Sequence, residues 1–151
     1  MSSYTFVIDR PELPQLELLT HTAVLVAASR VDQRRVRAAV DAVFDANPCL
    51  GAVFEPFFGT WLSRPGGGWG WAVEPPAAAV KEVVERQRGS FDMRTGRLFA
   101  VSLLPGSPDR LVLTASRLCV DAAAWDRVVA ELTSAYGDGA LEPEAVRLVI
   151  A

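Results

Sequence analysis

The chain has 151 residues, half of them hydrophobic and 22% charged, with a formal net charge of −3. That length suits one domain, or part of a larger one, and the apolar share excludes a dominantly disordered chain. The acidic balance argues against a general nucleic-acid binder, and no apolar run approaches the ~20 residues of a membrane span.

Residues Tyr4 to Asp9 read as a short strand that stops at Arg10-Pro11. Pro11 to Leu19 carries two prolines and has no clear pattern. Thr20 to Ser29 is a continuous apolar run, the pattern of a buried strand. Asp32 is placed to cap a helix in which Val36, Ala39, Val40, Val43 and Phe44 recur at helical spacing, and Asn47-Pro48 stops it. Strands are expected at Leu50–Glu55, Thr60–Ser63 and Trp69–Val73, with a turn at Gly59 and a flexible turn at Pro65-Gly66-Gly67-Gly68. Those glycines precede neither a lysine nor a helix, so they do not make a phosphate-binding loop.

Pro75-Pro76 is expected to open a second helix with Val80, Val83, Val84 and Gln87 on one face. Leu98–Leu104 and Leu111–Thr114, joined by Pro105 to Asp109, form an antiparallel hairpin in this reading. A third helix spans Ala122 to Tyr136, with Trp125, Val128, Val129 and Leu132 inward, and Gly137-Asp138-Gly139 ends it. Leu141 to Ala151 has no assignable pattern. Alternating strands and helices with a hairpin give an α/β fold, a mixed-sheet two-layer sandwich, with Val40, Phe44, Trp125 and Val129 in its core.

Chemistry-bearing residues are few. His21 is the chain's one histidine, expected at a strand end in a surface or capping role, which limits both zinc binding and acid–base catalysis. Cys49 and Cys119 lack metal-ligand spacing and read as free thiols of a reducing, cytoplasmic protein; Cys119 reads as a small core residue. Trp61, Trp69 and Trp71 surround the glycine turn, either as hairpin packing or as an aromatic anchor for a partner. Arg34, Arg35 and Arg37 form a solvated helix face that could meet an acidic partner.

Four patterns, in order, resemble the N-terminal half of a nonribosomal peptide synthetase condensation domain. They are the Thr22–Ser29 strand followed by the Val36–Phe44 helix; Asn47-Pro48-Cys49-Leu50-Gly51-Ala52-Val53-Phe54 in place of RHPxLRxxF; Phe91-Asp92-Met93-Arg94-Thr95-Gly96-Arg97-Leu98-Phe99, similar to FDLxxGPLxR; and Ser116-Arg117-Leu118-Cys119-Val120-Asp121-Ala122 in place of HHxxxDG. The resemblance covers roughly Thr20 to Asp138 and implies one chloramphenicol acetyltransferase-like lobe, residues 1–151 forming a truncated condensation-like domain. It implies a cleft between two such lobes as the reaction centre.

Both motif histidines are replaced, by Ser116 and Arg117, and a guanidinium accepts no proton at neutral pH. The motif glycine is Ala122, and the arginines and histidine of the earlier pattern are Ala46, Asn47 and Gly51. Asp121 survives, as a helix cap or as a partner of Arg117. The expectation is therefore a non-catalytic interaction domain that docks to an adenylation domain, a carrier protein or a tailoring partner. The alternative is half of an amide-forming condensation or acyltransferase enzyme, completed by a second lobe or chain. Neither needs a metal or a bound organic cofactor; a phosphopantetheine arm would visit only as part of a carrier.

Overall fold

The structure is a computed structural model that describes residues 7–8, 19–58 and 60–144, with the backbone alone at 7, 8, 60 and 61. Its elements are β1 (Val7–Ile8), β2 (Thr20–Ala27), α1 (Gln33–Ala46), a 3-10 turn (Pro48–Gly51), β3 (Ala52–Phe57), β4 (Thr60–Pro65), β5 (Gly70–Val73), α2 (Val80–Gly89), β6 (Phe99–Leu104), β7 (Arg110–Ser116), α3 (Ala122–Tyr136) and β8 (Leu141–Glu144). The rest of the strand expected over 4–9, the stretch 11–18, Gly59 and the tail from 145 lie outside the described residues.

The main sheet has the order β5-β6-β7-β2-β8 and is mixed: β5 runs parallel to β6, and the other pairs are antiparallel. A smaller sheet, β1-β4-β3, stands beside it and is tied on by the Phe54 amide, which donates to the Met93 carbonyl at 2.7 Å. Side-chain alternation sorts the main sheet into two faces. Leu25, Leu111 and Leu113 point into a large core shared with α1 and α3. Val24 and Val112 point the other way and meet Val83 and Val84 of α2.

The local signals explain the helices. Asp32 caps α1 by accepting the Arg35 amide at 3.2 Å, and Asp121 caps α3 by accepting the Ala124 amide at 2.7 Å. α1 and α3 are then fastened at their ends. Arg35 stacks on the Tyr136 ring at 4.5 Å and also donates to the Tyr136 carbonyl, while the Tyr136 hydroxyl accepts the Asp32 amide at 3.1 Å.

Three expectations need correction. α2 begins at Val80, not at Pro75-Pro76: those prolines open a turn closed by the Ala78 amide on the Pro75 carbonyl (2.9 Å). Residues 50–51 belong to the 3-10 turn that follows Asn47, so β3 starts at Ala52. The glycine segment is a close-approach joint, not a loose turn. The Gly67 amide donates to the Gly51 carbonyl at 2.8 Å, and any side chain on Gly67 would collide with the Gly96 backbone. Of the expected core, Val40 and Trp125 are buried, while Phe44 and Val129 are half-buried at its margin. The Phe44 ring lies over Gly51, in space that any β-carbon there would take.

Candidate functional site

The loop that joins β7 to α3 carries the four patterns' most chemical positions, 116–122. β7 delivers Ser116 fully buried, and its amide donates to the Leu98 carbonyl at 2.9 Å. Its hydroxyl oxygen accepts the Leu118 amide at 3.2 Å, and its carbonyl accepts both the Cys119 amide (3.2 Å) and the Cys119 thiol (3.2 Å). The polar atoms of Ser116 thus bend the chain out of the strand. Cys119 is buried beneath this turn, and burial pushes its thiol pKa up. Burial also raises the pKa of Cys49, the second free thiol, which is half-buried. Both sulfurs are held away from the reactive thiolate form.

Arg117 does not pair with Asp121. Thr20 lies opposite Ser116 in the β2–β7 register, so the chain leaving β7 runs beside Leu19. The Arg117 amide donates to the Leu19 carbonyl at 2.8 Å, and Nε reaches the Thr20 carbonyl at 3.4 Å. Its side chain is exposed, and among the described residues it forms no ion pair. Asp121 is exposed as well and acts as the α3 cap. The pattern FDLxxGPLxR ends in arginine; the matching position here is Ala100, which is buried.

His21 sits one step along β2, opposite Ala115. Its Nε2 donates to the Val120 carbonyl at 3.1 Å, and its ring stacks over Trp125, 6.0 Å between centroids with 16° between planes. Trp125 in turn meets Phe99 edge-on at 6.3 Å. The histidine therefore fastens the loop and the first turn of α3 to the sheet.

The candidate partner contacts fall differently. The Trp69 indole donates to Asp41 at 2.8 Å, Arg37 lies 5.7 Å over the Trp71 ring, and the two indoles meet edge-on at 6.3 Å. Trp69, Trp71 and Arg37 thus clasp β5 to α1 within the chain. Arg34 is exposed on α1, and the Trp61 side chain lies outside the described residues. Sequence reading missed Phe57 and Phe58 at the β3–β4 turn, where Phe58 is 91% exposed with φ at 49°. It also missed Asp109, whose carboxylate accepts the Val31 amide at 3.0 Å and the Gly106 amide at 2.9 Å. Those amides hold its pKa below the usual carboxylate value. No helix among the described residues is long and apolar enough to cross a membrane.

No protein-family profile matches the sequence, and no curated protein matches it. Solved structures do. The epimerization domain from the third module of tyrocidine synthetase B superposes with a TM-score of 0.70 at 18% identity, over 88% of this chain and 34% of that one. The condensation domain of the Monacolin K polyketide synthase gives 0.67 at 13% identity, over 94% and 36%. The starter condensation domain of rhizomide synthetase gives 0.63 at 15%, over 82% and 33%. The chain has the fold of a condensation-domain lobe, related to that of chloramphenicol acetyltransferase, and spans about a third of the structures it matches.

Proposed function

We propose that this chain is a non-catalytic, condensation-like interaction domain of a peptide synthetase system: an N-terminal lobe that docks to an adenylation domain, a carrier protein or a tailoring partner in the cytoplasm. The state of the 116–122 loop supports this reading most directly. A condensation catalyst that uses the motif histidine needs a proton acceptor facing a cleft. Here the hydroxyl of Ser116 is buried and engaged within the turn, position 117 holds a permanent cation, and the Cys119 thiol is buried. The loop keeps its shape and spends its polar atoms on that shape.

The test is direct. The purified chain is mixed with candidate carrier proteins and adenylation domains of its system and followed by sedimentation velocity. A complex with at least one of them is expected; no association with any candidate up to about 100 μM would reject the docking role. The same mixtures, supplied with carrier-loaded acyl and amine substrates, are expected to form no amide. Amide formation that disappears in Arg117→Ala would favour the second reading, a half-enzyme completed in trans. The exposed Arg117, which has no ion pair among the described residues, favours it.

A further inference from the structure

The sheet face that carries α2 is incompletely covered. α2 stands over β7, where Val83 and Val84 bury Val112, and leaves the β5–β6 edge beside it. The residues facing α2 there are small: Gly70 lies opposite Ala100, and Ala72 opposite Ser102. The result is a groove of about 220 Å³ between helix and sheet.

Its polar groups are unevenly committed. Gln87 is buried and saturated: its amide nitrogen donates to Ser102 (3.1 Å) and to the Val112 carbonyl (2.9 Å), and its oxygen accepts Thr114 (2.7 Å). Glu74, only 4% exposed, is ion-paired with Arg86 at one end, and its Oε1 accepts no hydrogen bond from any other described group. Arg97 lines the groove, is exposed, and has no ion-pair partner among the described residues. Three charged side chains thus line the groove, and two of them neutralise each other.

We infer that this groove binds a small organic carboxylate with an apolar body, its carboxylate on Arg97 and its body along Ala72, Val83 and Ala100. A planar guanidinium takes a carboxylate through two parallel hydrogen bonds. Arg86 is already paired with Glu74, so Arg97 is the groove's remaining cation among the described residues and fixes the orientation. The groove shares no residue with 116–122, so the inference stands apart from the docking role.

The experiment titrates the full chain, labelled with nitrogen-15, with 4-phenylbutyrate and with the uncharged 4-phenylbutanol. Saturable amide shifts are expected at residues 70–74, 83–90 and 97–102, with a Kd of roughly 0.1–1 mM for the acid and about tenfold weaker binding for the alcohol. Arg97→Gln should weaken the acid about tenfold and leave the alcohol unchanged. Ala72→Phe, a substitution at an exposed strand residue, should abolish binding of both by filling the groove. Well-dispersed spectra confirm that each variant folds. Absence of saturable shifts in the wild type, shifts mapping elsewhere, or equal affinity for acid and alcohol would overturn the assignment.

Discussion

Trp125→Ala tests the packing that holds the loop against the sheet. The side chain is 6% exposed, meets Phe99 edge-on, carries the His21 ring, and lies one turn after the Asp121 cap. Truncating a buried tryptophan costs about 3–5 kcal/mol, and loss of an edge-to-face pair contributes about 0.5–1.5 kcal/mol of that. A domain of this size has roughly 5–15 kcal/mol in total, so at least about a fifth of it would disappear, with Tm falling by roughly 10 °C. Urea unfolding followed by far-UV circular dichroism measures it, with the exposed neighbour Asp126→Ala as a control expected within about 0.5 kcal/mol. A loss below about 1 kcal/mol at unchanged m-value would refute the α3 docking described above.

Asp121→Ala removes the α3 cap and should cost about 1 kcal/mol by the same assay, with no further loss when Arg117→Ala is added. Asp109→Asn should cost about 1–2 kcal/mol at pH 7. Folding lowers the Asp109 pKa, so its contribution is full above the unfolded carboxylate value and fades as pH falls through the folded one; the gap between wild type and variant should shrink below about pH 4. Gly67→Ala forces a methyl group into the Gly96 backbone and should destabilise by at least about 1–3 kcal/mol, whereas Gly68→Ala, with open space around it, should be close to neutral in a melting curve. Ser116→His should cost about 1–3 kcal/mol by overpacking a fully buried site, and Arg117→His on the exposed side less than about 0.5 kcal/mol.

The positions of α1 and α3 were legible because their signals are local, whereas α2, which has no side-chain cap, starts later than its prolines suggested. Asp32 and Asp121 sit one residue before α1 and α3, and the apolar spacing after each follows the helical period. The mixed sheet was legible as a succession of elements. What the sequence withheld depends on distant partners. Gly67 needs Gly96, Asp109 needs Val31, and Trp69 needs Asp41, and nothing in the neighbouring residues announces those pairs. The four-residue spacing of Arg117 and Asp121 suggested an ion pair, but residues 117–121 form the turn between β7 and α3, where no regular period brings the two side chains together. Phe44 and Val129 have the right period and still end at the core margin, because hydropathy fixes the face of a helix and not the width of what covers it.

Asp121 has a local role that needs no catalysis. An aspartate at the first turn of α3 satisfies a backbone amide whether or not chemistry happens nearby. Ser116 follows the same logic: a hydroxyl turns the chain as it leaves β7, and a fully buried site has no volume for an imidazole. Arg117 is the converse. Its side chain is exposed and makes one long contact, Nε to the Thr20 carbonyl at 3.4 Å, so the position would accept a histidine at little cost. Shape therefore explains residues 116 and 121 and constrains the side chain at 117 only weakly. The guanidinium there accepts no proton at neutral pH, so a general base cannot come from this position.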